Sequence, residues 1–368
     1  MARIRNVAVV GLGIGRSHIA EGYSTLPDRF RVAALCDLNE ERLEAVGEEF
    51  GVTSRITSFD DVLAMDDIDI VDICTPPMLH ESQIQAALRA GKDVICEKPL
   101  AGCLAHVDAI IEAEKQSTGR VMPIFQYRYG NGLQKAKRII DLGLAGTPYL
   151  ASVETAWRRL PAYYEVPWRG RWDTELGGVL TTHAIHSHDI MTWLMGPADT
   201  VYCRTATRVN AIEVEDCAIA SLVMRSGALV SLAATLGSQE EVTRLRFCFE
   251  NVTFESSQGP YCPGDDPWRI VPRTPEIGER IEQALTDWTF VPSRFAGQLA
   301  AYHDALDAGG SLPVTLQDSR RSLELLTALY HSAETGRAVE LPIGNDHPKY
   351  ASWRPAAPAG SFMAEAHS

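Results

Sequence analysis

The feature that most constrains the fold is an apolar run that leads into a glycine-rich turn near the N-terminus. Residues 7–10 are Val-Ala-Val-Val, and Gly11, Gly13 and Gly15 alternate directly after them. This order is typical of a buried strand, a tight turn and a helix, which we expect at residues 17–23. Gly11 permits the turn, and Gly13 leaves no Cβ between the backbone and an anion. The turn therefore predicts a pyrophosphate site at a helix N-terminus.

The glycine pattern departs from G-x-G-x-x-G, because its third glycine is the fifth residue of the motif and Arg16 is the sixth. An ordinary strand–helix connection is the alternative interpretation. The predicted cofactor-binding residues of this turn are Gly11, Gly13, Ile14 and Gly15.

A second apolar run, residues 31–36, ends at Asp37, which lies 22 residues after Gly15. An acidic residue at about this distance accepts the ribose hydroxyls of the adenosine half of a dinucleotide. A carboxylate there favours NAD over NADP, because it repels the 2′-phosphate. Leu38 and Asn39 follow it, so we expect no arginine to offset that repulsion, although Arg16 can do so in part. Asp37 is also a candidate N-cap for a helix at 40–49.

Composition excludes several classes of protein. The chain of 368 residues is long enough for two domains, and its net charge of −14 makes nucleic acid a poor partner. No apolar stretch approaches the ~20 residues of a membrane span. The eight cysteines form no C-x-x-C pair, so we expect them to be reduced, in a cytoplasmic protein. We interpret the N-terminus as the first strand and not as a signal peptide.

Strands and helices alternate through the first 125 residues. We expect helices at 40–49, near 60–65, at 81–90 and at 104–116, and strands at 68–74, 93–96 and 121–125. This order predicts an α/β fold with a doubly wound parallel sheet, whose ligands bind beyond the carboxyl ends of the strands. Signals at that edge are the glycine turn, Asp37, Thr75-Pro76-Pro77 and Glu97-Lys98-Pro99.

These motifs, with His80, resemble the glucose–fructose oxidoreductase/inositol dehydrogenase (Gfo/Idh/MocA) family. The resemblance continues in Gly177-Gly178-Val179-Leu180, Ala184-Ile185-His186 and Asp189, and in the stretch 295–342, so that it covers nearly the whole chain. It implies an NAD-binding Rossmann domain and a second domain with an open mixed sheet, whose outer face mediates dimer or tetramer formation. It adds Thr75, Pro76, His80, Glu97 and Lys98 to the predicted cofactor-binding residues.

The second half predicts an α+β domain. We expect a helix at 131–141 and strands at 149–157, 200–208, 217–224, 229–236 and 245–254, several of them with the alternation of antiparallel strands. A single helix at 186–194 interrupts them. Residues 257–292 are expected to be irregular, and helices at 295–308 and 319–334 to close the domain. The predicted domains are 1–125, 126–345 and a tail at 346–368.

Oxidation of a secondary alcohol needs a hydride acceptor, a base and a cation for the developing alkoxide. Lys98, beyond the end of a strand, is the predicted catalytic cation, and Glu97 is expected to orient it or to pair with it. His186 is the predicted catalytic acid/base. The family commonly has an aspartate four residues before this histidine, whereas this chain has Thr182. Either His186 acts with Lys98 alone or His183 takes part.

Within the cluster of His183, His186, His188 and Asp189, the spacing of His183, His186 and Asp189 is also compatible with zinc on one helical face. The resemblance implies redox chemistry without a metal, so we predict no metal site. His188 is expected off the active face, and His80 and His303 are expected to be structural or close to the cofactor.

Substrate contacts are expected from a segment rich in aromatic and arginine side chains, since rings stack on sugar C–H surfaces and arginines bind hydroxyls or acidic groups. The predicted substrate-binding residues are Arg158, Trp168, Arg169, Trp172, Thr182, His183 and Asp189. A lid that packs on a neighbouring subunit is the alternative for this segment.

The sequence therefore predicts a cytoplasmic homodimer or homotetramer that transfers a hydride between a secondary hydroxyl of a sugar, sugar derivative or cyclitol and NAD. Two alternatives stay open. One is an enzyme that oxidises a sugar transiently with bound NAD so that a glycosidic bond can be eliminated. The other is a non-catalytic NAD-binding regulator on the same fold, which Thr182 favours and Lys98 with His186 disfavours.

Overall fold

The computed structural model describes residues 3–355. Residues 3–130 form β1 (Arg5–Val10), α1 (Gly15–Glu21), β2 (Phe30–Cys36), α2 (Glu40–Phe50), β3 (Ser54–Ile56), α3 (Phe59–Leu63), β4 (Ile70–Ile73), α4 (His80–Arg89), β5 (Asp93–Cys96), α5 (Leu104–Lys115) and β6 (Val121–Pro123).

Residues 131–355 form α6 (Asn131–Asp141), β7 (Pro148–Arg158), α7 (Val179–Thr182), α8 (Ile185–Met195), β8 (Ala198–Ala206), β9 (Cys217–Met224), β10 (Leu229–Thr235), β11 (Gly237–Phe249), β12 (Val252–Glu255), β13 (Arg269–Pro272), α9 (Pro275–Ala284), α10 (Arg294–Ala308), α11 (Leu316–Thr335) and β14 (Val339–Glu340). Short 3-10 helices lie at Tyr23–Thr25, Pro77–Leu79, Gln126–Arg128 and Pro161–Glu165.

The chain divides into two compact units. Within the described residues, unit 1 comprises 3–130 and 291–320, and unit 2 comprises 131–290 and 321–355. Sequence analysis assigned 291–320 to the second domain, whereas the structure assigns it to the first. Gln298 of α10 shows why, because its side-chain amide donates to the carbonyl of Pro123 and accepts from the amide of Phe125.

Unit 1 is built on a six-stranded sheet in the order β3-β2-β1-β4-β5-β6, in which all neighbouring strands are parallel. The predicted doubly wound sheet is thereby confirmed. The strand order reverses between β1 and β4, which is the position where such sheets bind ligands. All four residues of β4 are buried, as are the last four of β1.

Unit 2 is built on an eight-stranded sheet in the order β13-β12-β11-β7-β10-β9-β8-β14. Strands β7 and β10 pair in parallel, and the other neighbours are antiparallel, which confirms the predicted mixed, mostly antiparallel sheet. Along β9 and β10, buried residues alternate with exposed ones, so that one face of the sheet packs on its own unit.

Three predictions for unit 2 were wrong in detail. The strand expected at 245–254 is two antiparallel strands, because Glu250 and Asn251 form a turn between β11 and β12. The segment 257–292 is not irregular throughout: it contains β13 and α9, and α9 has a Thr274 N-cap followed by Pro275. A short helix, α7, precedes the single predicted helix of this region.

The described part of the predicted tail is packed. Trp353 is buried, its Nε1 donates to the carbonyl of Leu176 at 2.6 Å, and Nζ of Lys349 lies 2.6 Å from a carboxylate oxygen of Glu334. Residues 356–368 lie outside the described residues.

Within residues 3–355, no helix combines the length and apolarity that crossing a membrane requires. All eight cysteines are free thiols, and Cys36, Cys74 and Cys96 are buried at or near strand ends, as expected from the sequence.

Candidate functional site

The glycine turn after β1 meets three different steric demands. Gly11 has φ of +88°, and a Cβ on it would lie 2.7 Å from the carbonyl carbon of Cys74. A Cβ on Gly15 would lie 2.8 Å from a methyl group of Val9, so this glycine lets α1 approach β1. A Cβ on Gly13 would meet no atom within 4 Å. The backbone at Gly13 is therefore open to a ligand, as a pyrophosphate site requires, and Ile14 beside it is exposed.

The carboxylate of Asp37 is fixed at this turn by backbone amides. One oxygen accepts from the amide of Leu12 at 2.7 Å, and the other accepts from the amide of Asn39 at 2.8 Å. Asp37 does not cap α2, because Asn39 accepts from the amide of Arg42 in that role. The predicted ribose-binding carboxylate thus lies beside the glycine turn, held from both sides.

An arginine does lie beside Asp37, contrary to expectation. Nη1 of Arg42, in the first turn of α2, is 3.2 Å from Oδ2 of Asp37. Sequence analysis considered only the two residues after Asp37, whereas the helix returns the fifth residue to it. Arg16, the cation considered instead, is paired with Glu49. The structure therefore places Arg42 and not Arg16 next to Asp37.

His80 joins the segments that follow β4 and β5. Its two ring nitrogens lie 2.8 Å from the carbonyl oxygens of Thr75 and Pro99. Burial lowers the pKa of His80, so that the neutral ring donates to one of these carbonyls. Thr75 in turn donates its hydroxyl to Gln83 at 2.6 Å. These contacts hold the loop of Thr75 and Pro76 against the turn that carries Lys98.

Glu97 is buried, and its Oε2 accepts from the backbone amide of Lys98 at 3.0 Å. Its other oxygen lies 3.0 Å from Nε2 of His18, a residue of α1 that sequence analysis did not select. Glu97 thus orients the backbone at Lys98.

In unit 2, two glycines allow the segment before α7 to pass close to other groups. Gly177 has φ of +155°, and a Cβ on it would lie 2.3 Å from the hydroxyl of Tyr330. A Cβ on Gly178 would lie 1.7 Å from the carbonyl oxygen of Glu215. The Gly-Gly pair is therefore a packing requirement of the helices that follow.

Glu215 is a functional candidate that sequence analysis missed. Its buried carboxyl group accepts from the amides of Leu180 at 3.0 Å and Gly178 at 3.1 Å, and from the hydroxyl of Tyr330 at 2.9 Å. Burial raises its pKa to about 7. The signal in the sequence is a pair of acidic residues, Glu215 and Asp216, between the apolar Val214 and Cys217. Glu215 anchors the amino end of α7, which carries Thr182.

Thr182 and His183 are in contact, and His183 also contacts Arg159. The hydroxyl of Thr182 donates to the carbonyl of Gly178 at 2.7 Å and lies 2.6 Å from Nδ1 of His183. Nε of Arg159 donates to Nε2 of His183 at 3.1 Å. Because Nε2 accepts a hydrogen bond, the proton of the neutral ring is on Nδ1, where it is donated to Thr182.

The remaining residues of the predicted histidine cluster lie on α8 and are nearly inaccessible to solvent. His186 and His188 are 4% and 3% exposed, and Asp189 is 1% exposed. Burial lowers the pKa of His188 to about 4, and this residue lies beside Ala220 and Leu232 of the sheet. In the described part of the chain, ligand atoms of His183, His186 and Asp189 do not all lie within 4.8 Å of one another, so the zinc alternative has no support in the geometry.

The substrate-binding residues that were predicted in the loop do not form a single group in the structure. Arg158 is exposed. The guanidinium carbon of Arg169 lies 3.7 Å from the ring centroid of Tyr163 and 5.2 Å from that of Trp168, so these residues are brought together. Trp172 is not part of that group, because its ring packs on Tyr330 and its Nε1 donates to the carbonyl of Glu213.

The arginine that the structure brings to His183 is Arg159, not Arg158. Its guanidinium carbon lies 5.2–5.9 Å from the ring centroids of Trp157, Tyr163 and Tyr261. Its Nη1 donates to Glu241 at 2.8 Å and to the hydroxyl of Tyr261 at 3.2 Å. We call Arg159, His183 and these three rings the Arg159 cluster. A run of aromatic residues and arginines predicted such a cluster, but not which arginine occupies its centre.

Comparison with known families supports an oxidoreductase. Residues 5–125 match a family model described as an oxidoreductase family with an NAD-binding Rossmann fold, and residues 133–255 match the Gfo/Idh/MocA C-terminal domain.

Solved structures match nearly the whole chain. The WlbA dehydrogenase from Bordetella pertussis, in complex with NADH and UDP-GlcNAcA, is 29% identical with a TM-score of 0.81, over 94% of this chain and 99% of that one. The WlbA dehydrogenase from Chromobacterium violaceum, with the same ligands, is 30% identical with a TM-score of 0.80, over 93% and 97% of the two chains. A D-apiose dehydrogenase from Paraburkholderia graminis is 26% identical over 91% of this chain and 89% of its own length.

Proposed function

Because the chain belongs to the Gfo/Idh/MocA oxidoreductase family and is an NAD-dependent dehydrogenase of carbohydrates or polyols, we propose that it oxidises a secondary hydroxyl of a sugar, sugar derivative or cyclitol by hydride transfer to NAD. The observation that supports this most is the open backbone at Gly13, with the fixed carboxylate of Asp37 beside it.

The residues of unit 1 fit the cofactor. The glycine turn is to receive the pyrophosphate, and Asp37 is to accept the ribose hydroxyls of the adenosine half. The segments after β4 and β5, joined by His80, are to carry the contacts of Thr75, Pro76 and Lys98. When bound, NAD supplies the acceptor for the hydride.

Two side chains of this chain are assigned to the proton and charge chemistry. Lys98 donates a hydrogen bond to the reacting oxygen and stabilises the negative charge that develops there. His186 takes the proton of the hydroxyl in oxidation and returns it in the reverse direction. Thr182 supplies no charge to an imidazole, so we assign it to orienting His183 through the hydrogen bond between them.

The Arg159 cluster is proposed to bind the substrate. The partly exposed rings of Tyr163 and Tyr261 offer faces for sugar C–H groups, and the guanidinium of Arg159 offers donors to sugar hydroxyls. Trp168, Arg169 and Asp189 stay candidates for the same role, as do Arg158 and Trp172.

A spectrophotometric screen of sugars, sugar acids and cyclitols tests the proposal, with NAD and NADP each as the oxidant. The expected result is net accumulation of NADH with at least one polyol. Glycosidic cleavage without net NADH would favour the enzyme with transient oxidation, and NAD binding without any oxidation would favour the regulator.

We further propose that the chain forms a homodimer or homotetramer through the exposed face of the unit 2 sheet. Tyr202, Ile219, Val223 and Leu229 are large apolar or aromatic side chains exposed on neighbouring strands of that sheet. Isolated chains rarely expose such a surface. Light scattering of Ile219→Lys is expected to show a smaller particle than the wild type, and an unchanged mass would contradict this interface.

A further inference from the structure

A buried cluster of ionisable groups lies between α1 and the ends of β4 and β5 in unit 1. Nδ1 of His18 is 2.8 Å from Oδ2 of Asp72, and Nε2 of His18 is 3.0 Å from Oε1 of Glu97. The hydroxyl of Tyr23 donates to the same oxygen of Asp72 at 2.9 Å. His18 and Asp72 are 0% exposed and Glu97 is 5% exposed, so water does not screen these charges. The chemistry proposed above uses neither His18 nor Asp72.

The geometry and the negative charge of its two partners favour the protonated form of His18. Each ring nitrogen faces a carboxylate oxygen, and a carboxylate only accepts hydrogen bonds. A neutral imidazole has one N–H and would turn a lone pair toward the second carboxylate. Only the imidazolium donates to both. Burial is the largest single influence and opposes the charge, but Asp72 and Cys74 together outweigh it and raise the pKa of His18 well above its usual range.

The surroundings of the ring are consistent with a single positive charge between two negative ones. The ionisable groups that face it are Asp72 and Cys74 from β4 and its end, and Glu97 from the end of β5. On the side of α10 the ring packs against Phe295, with centroids 4.3 Å apart. Because that side is apolar, the hydrogen bonds of the ring go to the two carboxylates.

Glu97 extends this cluster to Lys98. While Oε1 of Glu97 faces His18, its Oε2 accepts from the backbone amide of Lys98 at 3.0 Å. His18 lies three residues after Gly15, in the helix that follows the glycine turn. One carboxylate therefore connects the helix behind the predicted pyrophosphate site to the residue that carries the predicted catalytic ammonium.

We propose that His18 is a positioning residue for Lys98: as an imidazolium it holds Glu97, and Glu97 holds the backbone amide of Lys98. The assignment of Lys98 to catalysis rests on the proposed function, whereas the link from His18 to the Lys98 amide does not. The two parts are therefore tested separately.

The first test uses the full chain without substrate. Hydrogen–deuterium exchange of a peptide that contains the Lys98 amide is compared in the wild type, His18→Gln and Glu97→Ala. Both variants are expected to speed exchange of this amide by about tenfold or more, because its buried acceptor is lost or released. His106→Gln, an exposed histidine on α5, is the matched control. Unchanged exchange in both variants would overturn the link.

The second test observes the charge itself. In ¹⁵N-histidine spectra of the chain, the resonance absent from His18→Gln is expected to show both ring nitrogens protonated at pH 7 and still at pH 8. A ring with one proton at pH 7 would overturn the proposal, whatever the enzyme's activity.

The third test asks whether His18 acts through Lys98, once a substrate is known. His18→Gln is expected to lower kcat by about tenfold in the wild-type background, with the Kd of NADH within about threefold. In a Lys98→Met background the same change is expected to have little further effect, because the residue it positions is gone. Equal losses in both backgrounds would show a general structural role. If His18→Gln does not fold, Glu97→Ala replaces it in the same cycle.

Discussion

The hydroxyl oxygen of Thr182 lies 2.6 Å from Nδ1 of His183, and this contact determines how the ring of His183 is used. Since the hydroxyl donates its own proton to Gly178, it accepts from the histidine, and Nε2 is left to accept from Arg159. Both ring nitrogens of His183 thus have structural partners. His186 is the better candidate for the proton transfer, and His183 for holding Arg159.

This division predicts different kinetics for the two histidines. His186→Gln is expected to lower kcat by about a hundredfold or more, because it removes an acid/base group. His183→Gln is expected mainly to raise KM, since it loosens Arg159 and leaves the proton transfer intact. Steady-state kinetics with NAD and the substrate found in the screen separate the two. A larger loss of kcat in His183→Gln than in His186→Gln would reverse the assignment.

Lys98→Met removes the proposed ammonium and keeps most of the length of the side chain. Turnover is expected to fall by about a hundredfold or more, since the charge on the reacting oxygen loses its stabilising donor. Binding of NADH, measured by fluorescence titration, is expected to persist. Lys92→Met serves as the comparison, because that lysine donates to two carbonyls at the other end of β5. If turnover of Lys98→Met equals that of the wild type, Lys98 has no role in the chemistry.

The pair of Asp37 and Arg42 predicts the choice of cofactor. Asp37→Ala is expected to weaken NADH binding far more than NADPH binding, because the ribose hydroxyls lose their acceptor and the 2′-phosphate loses a repelling charge. Arg42→Gln is expected to weaken the binding of NADPH and not that of NADH, since the guanidinium of Arg42 lies 3.2 Å from Asp37. Arg16→Gln, away from this pair, is the control. If Asp37→Ala weakens the binding of both cofactors equally, Asp37 does not select between them. Its role is then limited to its hydrogen bonds to Leu12 and Asn39.

Glu215 predicts a pH dependence of stability. Its pKa is raised to about 7 by burial, so the folded chain retains a proton that the unfolded chain releases near pH 4.5. The stability that this proton contributes is present below pH 4.5 and is lost as the pH rises to about 7. Relative to Glu215→Gln, the free energy of unfolding of the wild type is expected to fall by about 3 kcal/mol over that interval.

The stability that Glu241 contributes is expected to depend on pH in the opposite direction. Burial is the largest single influence and raises the pKa of Glu241, but Tyr261, the amide of Arg158 and Arg159 together outweigh burial and lower it. Its contribution is therefore lost as the pH falls. Denaturant unfolding of the wild type, Glu215→Gln and Glu241→Gln between pH 4 and 8 is the measurement. If the Glu215→Gln difference does not change with pH, the pKa of Glu215 is the same in the folded and the unfolded chain, and burial does not raise it.

The pattern of the sequence predicted the sheets well, because strand alternation and apolar runs are local signals. The run at 217–224 coincides with β9, and the glycine turn predicted a tight turn followed by a helix. The helix at 131–141 was likewise predicted with the bounds that α6 has. The chain after Ser257 was harder, although Thr274 and Pro275 are an ordinary helix start.

The side-chain contacts of the site join residues that are separated in the sequence, so local sequence patterns could not predict them. Arg42 reaches Asp37 only because α2 returns its first turn to it, and Arg159 rather than Arg158 contacts His183 because β7 ends at Arg158 and Arg159 follows it. Asp72 and Glu215 had a usable signal: a carboxylate in an apolar run must find a partner when it is buried. That signal identifies the residue but not the partner, which for Asp72 is 54 residues away in the chain.

The most direct test of the central claim is to follow the transferred hydrogen. A polyol that reduces NAD in the screen is prepared with deuterium at its carbinol carbons and incubated with the enzyme and NAD, and the NADH formed is examined by mass spectrometry. The proposed function predicts NADH one mass unit heavier, because the hydride leaves a carbinol carbon and enters the nicotinamide. Unlabelled NADH, or no NADH from any sugar or cyclitol, would contradict it.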